Sequence, residues 1–213
     1  MPRALISVSD KRGLVEVARG LATLGWEIVS TGGTAKVLTD EKVPVIPIEQ
    51  VTGFPEMMDG RLKTLHPAVH GGLLARRNVP GDLKAMERHQ IVPIDLIAVN
   101  LYPFRETVRR GGITEVQAIE QIDIGGPSML RSAAKNFESV TVVVDPQDYA
   151  RVLQALKAGG VGAALRRELA IKVFRETASY DAAIAQWFQG RAEGGLAPFI
   201  FLALEQKQHL RYG

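Results

Sequence analysis

Through the first 145 residues, short apolar and β-branched runs alternate with stretches whose apolar positions recur every three or four residues. The first pattern suits strands buried between two layers, and the second suits helices that bury one stripe. Their alternation predicts an α/β fold: a three-layer, doubly wound, mostly parallel sheet with helices on both faces. Residues 4–8, 26–30, 43–48, 96–101 and 140–144 read as strands. Two prolines push 43–48 towards an edge, whereas the almost unbroken β-branching of 140–144 predicts a central strand. Leu14, Val17, Ala18 and Leu21 fall on one helical face, with Ser9 and Asp10 placed to cap that helix and Gly25 to stop it. Helices are also predicted over 34–41, 82–89, 114–121 and 127–135, the last with Pro127 in its first turn, and then over 146–158 and 163–189.

Three parts follow from this pattern: a core over 1–145, C-terminal helices over 146–198, and a segment over 199–213 that reads as the start of a further domain. Residues 190–198 suggest a surface turn before the apolar run 199–204. Residues 50–79 break the rhythm, being irregular and rich in Gly, Pro, His and Arg, and long irregular segments inside domains are often functional.

Composition narrows the function classes. With 213 residues and 46% hydrophobic content the chain can bury a substantial core. It contains no cysteine, which removes disulfides, thiolate nucleophiles and cysteine-held zinc and fits a cytoplasmic protein. No apolar run approaches the roughly 20 residues that span a bilayer, so no membrane partner is expected. The 26 Lys+Arg against 23 Asp+Glu leave only +3, the basic residues are scattered, and aromatics make up 6%, which argues against nucleic acid. A small anionic ligand suits this balance.

The candidate chemistry lies just after the predicted strands, where parallel sheets bind ligands. Ser9, Asp10 and Lys11 follow the first strand, and STGGT, residues 30–34, follows the second. Adjacent glycines before a helix can aim backbone N–H groups at one anion, with threonine hydroxyls beside them, although the same turn can simply join strand to helix. Asn100 and Tyr102 follow residues 96–99 of the fourth strand, in NLYPF. In GRLKTLHPAVHGG, Arg61 and Lys63 share a direction if extended, as a phosphate clamp or as a solvated basic loop. His66 and His70 have i, i+4 spacing, but Pro67, Gly71 and Gly72 and the lack of an acidic companion count against a metal site, and none is expected. In QIDIGGPSMLRSAAKN, Asp123 precedes a helix start and Lys135 lies roughly 12 Å along the axis from Pro127, so the two are not helix neighbours.

Taken in order, SVSDK, STGGT, GRLKTLHP, NLYPF and DIGGPSMLRSAAKN resemble the IMP cyclohydrolase domains of the PurH family of bifunctional purine biosynthesis proteins, across nearly the whole chain. The GGT turn is shared with methylglyoxal synthase-like domains at large, and LRYG resembles the junction with the family's formyltransferase domain. The resemblance implies a methylglyoxal synthase-like nucleotide-binding core, closure of a formamidoimidazole carboxamide ribotide to IMP with loss of water, no cofactor or metal, and a homodimer. By matching positions it implies Lys63 as oxyanion stabiliser, Lys135 as proton carrier, Asp123 as orienting or proton-transfer group and Tyr102 as their support. It further implies a nucleotide site lined by Ser9, Asp10, Lys11, Thr31, Gly32, Gly33, Thr34, Arg61, Leu62, Lys63, Thr64, Val99, Asn100, Asp123 and Ile124. A lysine acting as base must be neutral, which a nearby aspartate opposes and burial or a second cation favours. Phe137 stands where the family often has histidine, so no proton transfer is assigned there. A phosphate-eliminating methylglyoxal synthase and a noncatalytic nucleotide-binding module are the alternatives on the same architecture.

Overall fold

The computed structural model describes residues 1–58 and 60–190. Five strands, β1 (Arg3–Ser7), β2 (Glu27–Ser30), β3 (Ile46–Pro47), β4 (Leu96–Val99) and β5 (Thr141–Val143), form one sheet of order β3-β2-β1-β4-β5. Every pairing is parallel. The helices are α1 (Leu14–Thr23), α2 (Gly32–Asp40), α3 (Ile48–Thr52), α4 (Pro67–Leu74), α5 (Pro80–Arg88), α6 (Phe104–Arg110), α7 (Glu115–Ile119), α8 (Gly125–Lys135), α9 (Tyr149–Lys157) and α10 (Ala163–Gln189). A 3-10 turn, Pro146–Asp148, leads into α9.

The alternation of side chains along each strand divides the core in two. Ala4, Ile6, Leu96 and Ala98 join the buried stripe of α1 and Val152 of α9 on one face. Leu5, Val29, Ile97 and Val99 face the other way, onto Val69 and Leu73 of α4, Met129, Leu130 and Ala133 of α8, and Val173 of α10. Burying a side chain of this size contributes about 1.5–3 kcal/mol, so strands apolar on both faces are what a sheet covered by two helical layers requires.

Two expectations about position change. Within 140–144, β5 is an edge strand whose side chains are buried because α8 and α10 cover Val142 on one face and the α1 and α9 layer covers Val143 on the other. β-branching reports burial, and an edge strand with covered faces has the same composition as a central one. Ser9 and Asp10 do not cap α1, which begins at Leu14 behind a left-handed Gly13 with φ of 66°. The irregular 50–79 segment also contains more structure than expected, since PAVHGGLL forms α4 with Pro67 in its first turn and His66 as its cap. α6 was not foreseen either. The reading of residues 190–204 as a turn and an apolar run, and of 199–213 as a new domain, falls almost wholly outside the described residues.

Asn136 fastens α8 to this framework. It is 8% exposed, and its side-chain amide donates to the carbonyls of Leu73 at 2.8 Å and Ala75 at 2.9 Å, where α4 ends. Asn136→Ala would leave two carbonyls without that donor, and urea unfolding should show a loss of about 1–3 kcal/mol.

Candidate active site

After β1 the chain builds β2 and β3 on one side of it and then crosses over to lay β4 on the other side. The loops leaving β1 and β4 therefore part, and a crevice opens at the carboxyl ends of the two strands. The strands end level, with Ser7 opposite Val99. Asn100, directly after β4, closes the floor: its Oδ1 accepts the backbone N–H of Ser9 at 2.6 Å and of Asp10 at 2.9 Å, and its Nδ2 donates to the Asp10 carbonyl at 3.1 Å.

One end of the crevice gathers donors. Thr31 is the residue before α2, and Gly32 and Gly33 form that helix's first turn rather than a turn ahead of a helix starting at residue 34. The side-chain oxygens of Ser7 and Thr31 lie 2.7 Å apart. Thr34 Oγ1 accepts the Val8 N–H at 3.1 Å and donates to the Val8 carbonyl at 3.0 Å, tying the loop after β1 to α2. The Lys11 ammonium donates to the same carbonyl and, at 3.1 Å, to Thr34 Oγ1, and the partial loss of water there holds its pKa below the ordinary lysine range. Gly32 has φ of +40°, and a Cβ on it would lie 3.1 Å from Lys63 Nζ, so glycine lets that ammonium approach the open N-terminus of α2.

Arg61 and Lys63 both line the crevice, and each meets a carboxylate that sequence reading missed. Arg61 pairs with Glu120, and Lys63 pairs with Glu56 while Glu49 stands 4.0 Å away. Thr64 is buried below them, and Leu62 instead forms an isolated antiparallel bridge with Met57.

The opposite end is built by the start of α8. Asp123 Oδ1 accepts the Gly126 N–H at 2.8 Å. Burial raises the Asp123 pKa above the ordinary carboxylate value, opposed by the Gly126 and Tyr102 backbone N–H groups. A Cβ on Gly126 would lie 2.3 Å from Asp123 Oδ2, so only glycine admits the carboxylate here. Tyr102, 50% exposed, and Ile124 stand at this end of the mouth. The whole crevice has a volume of about 900 Å³, within the range of small-ligand sites.

Ser9, Lys11, Thr31, Gly32, Gly33, Thr34, Arg61, Lys63, Thr64, Val99, Asn100, Tyr102, Asp123 and Ile124 thus share one cavity. Asp10, Leu62 and Lys135 do not line it. The Asp10 carboxylate turns to Arg12, whose backbone N–H and guanidinium donate to it and lower its pKa, and it faces a neighbouring hollow. Lys135 is exposed in the last turn of α8, about 15 Å along the axis from Gly125, so within one chain it stays outside the cleft. Phe137 is partly buried in the core under the Arg167 guanidinium, 5.3 Å from its ring centre. The two histidines have separate structural tasks, His66 Nδ1 accepting the Ala68 N–H at 3.1 Å and His70 Nδ1 lying 3.0 Å from Ser132 Oγ. Among the described residues no group of three or more His, Cys, Asp or Glu is gathered as for a metal ion.

The Asp123 environment fixes a pH dependence. Its folded-state pKa is raised above 3.8, so the folded chain favours the neutral acid, and the destabilising effect of its charge grows as pH rises from 3.8 through the folded pKa. The stability of Asp123→Asn relative to wild type should therefore increase over that window, as chemical denaturation at a series of pH values would measure.

Comparison with known proteins agrees with this geometry. The family model for MGS-like domain matches residues 13–128, and that for AICARFT/IMPCHase bienzyme matches residues 133–213. The bifunctional purine biosynthesis protein PurH of Streptococcus mutans is 57% identical over 212 residues, and that of Lactococcus lactis subsp. lactis is 58% identical over 214. Each alignment covers 99% of this chain and 41% of the relative, so the chain spans about two fifths of the length of these curated proteins. A solved structure described as the crystal structure of ForH superposes with a TM-score of 0.77 at 40% identity, covering 88% of this chain and 98% of that one. With more than half its length matched by that model and this sheet order beneath the match, the chain belongs to the MGS-like domain family.

Proposed function

We propose that the chain is an IMP cyclohydrolase, closing 5-formamidoimidazole-4-carboxamide ribotide to IMP with loss of water in de novo purine biosynthesis. The observation that carries the reading is one cleft that brings together the donor-rich start of α2, Lys63 and a half-buried carboxylate, Asp123, on a chain similar to PurH over nearly its full length. Ser7, Thr31 and the N–H groups of Gly32 and Gly33 would hold the ribotide phosphate, helped by Lys11 and Arg61, while Thr34 fixes the loop after β1 against them. The open imidazole arms would then lie towards Asp123 and Tyr102.

In this reading the carboxamide nitrogen attacks the formyl carbon, a C–N bond forms, and the carbonyl electron pair moves onto oxygen. Lys63 offsets the developing negative charge, and Asp123 orients the carboxamide and relays the proton that leaves nitrogen. The hydroxyl so formed takes a second proton, matched by the one that the formamide N–H gives up, and leaves as water as the C–O bond breaks and the C=N bond forms. The chemistry needs no metal or redox group. Lys135 would take part only if a second subunit of a homodimer delivered it, since it lies outside its own cleft. The relatives are bifunctional, so in a longer polypeptide a formyltransferase domain would make the substrate, and the setting would be cytoplasmic. Among the described residues no helix is long and apolar enough to cross a membrane.

Absorbance detection of IMP from the formylated ribotide tests the proposal. Lys63→Ala should lower kcat by about 100-fold and weaken IMP binding, because its ammonium serves both the oxyanion and the anion end of the cleft. Thr34→Val should weaken IMP binding by about fivefold to tenfold with little change in kcat. Wild-type binding of IMP without turnover would favour a noncatalytic nucleotide module instead. Mixed dimers of Lys63→Ala and Lys135→Ala subunits should turn over faster than either variant alone, and failure to do so would remove Lys135 from the mechanism.

A further inference from the structure

We propose that Tyr180, on α10, is a positioning residue for Asp123, holding from behind the segment that carries this carboxylate into the cleft. The phenol oxygen accepts the Asp123 backbone N–H at 2.8 Å and donates its own proton to the Gln121 carbonyl at 3.3 Å. Gln121 to Asp123 link α7 to α8 outside any helix or strand, and the N–H groups of Gln121 and Ile122 are used in local turns with Ala118 and Ile119. The Asp123 N–H therefore takes its anchor from a residue 57 positions further along the chain.

The anchor is itself rigid. Tyr180 is 4% exposed, and its ring meets the fully buried Phe104 edge to face at 6.3 Å, while Phe104 in turn meets Trp187 at 5.7 Å. These contacts fix the direction of the phenol C–O bond, because an aromatic ring between two packed helices cannot change rotamer without opening the core. Burial pushes the Tyr180 pKa up to about 12, so at neutral pH the phenol keeps the proton that it donates to Gln121. Tyr180 lines the hollow beside the cleft, not the cleft, and its hydrogen bond towards the site is made to the Asp123 backbone. Its effect on chemistry must pass through Asp123, and a displacement of about 1 Å at a reacting group is enough to cost about 100-fold in rate.

The kinetic part of this inference rests on the cyclohydrolase reading, whereas the structural part does not. Tyr180→Phe removes one oxygen and keeps the ring that packs on Phe104. Hydrogen exchange followed by mass spectrometry should show peptides covering residues 119–126 exchanging about tenfold faster in the variant, with the β1 and β4 peptides unchanged. In turnover of the formylated ribotide, kcat should fall about tenfold while KM and IMP affinity stay within about twofold. Unchanged exchange over 119–126, or faster exchange throughout the sheet, would overturn the proposal, as would a wild-type kcat in the variant. If the wild-type chain gave no turnover, the cyclohydrolase reading would fall, and the exchange comparison would still decide whether Tyr180 anchors Asp123.

Discussion

The reversal of strand order at β1 and β4 is the constraint on which the rest of this molecule depends. Once β2 and β4 lie on opposite sides of β1, the segments leaving β1 and β4 must diverge, and hydrophobic packing of the sheet cannot fill the space between them. The gap is instead spanned by polar contacts. Asn100 accepts two backbone N–H groups from the β1 loop, and Thr34 meets both the N–H and the carbonyl of Val8, so the loop after β1 is fixed to its neighbours on either side. A rigid apolar framework thereby presents a rim of hydroxyls and amides whose positions are set by the strands beneath them.

Charge in the cleft is arranged locally, and the small net charge of the chain says little about it. Arg61 and Lys63 are paired with Glu120 and Glu56, and Lys11 is tucked against a carbonyl and a hydroxyl. An exposed pair such as that of Arg61 is worth about 0–1 kcal/mol, so a phosphoryl group that also receives backbone N–H donors from α2 competes for that guanidinium at small cost. At the other end burial raises the pKa of Asp123 while two backbone N–H groups oppose that rise, which moves the carboxyl towards the range useful for proton transfer.

The sheet was legible in the sequence because its signal is local: apolar runs of strand length between helical stripes. The five strands fall where the pattern puts them, β1 shifted by one residue and the other four shorter, and α10 spans the predicted 163–189. Order within the sheet was not legible, since the composition of residues 140–144 reports covered faces and is blind to the number of neighbouring strands. Most of the cleft was read from residues just after strands, where the topology places them together. What stays outside the cleft of the chain, or went unread, has other causes. The Asp10 side chain turns to Arg12 two residues on, while Lys135 lies at the far end of α8 from the cleft. Glu56 and Glu120 carried no mark beyond an ordinary acidic side chain near basic ones. Tyr180 was hidden more thoroughly, because a tyrosine on the buried stripe of a long helix looks like core, and the contact with Asp123 exists only after the chain has closed over a separation of 57 residues.

The expected boundary between a core ending at residue 145 and helices appended after it has a different meaning once α10 is in place. That helix covers the outer strand β5, packs along α8, and reaches the loop between α7 and α8. Any engineered fragment or chimaera joined at the end of the sheet would therefore lose one wall of the core together with a support of the cleft. The smallest piece of this chain that keeps the cleft supported therefore extends beyond residue 180, and the helices after the sheet belong to the body that holds the cleft.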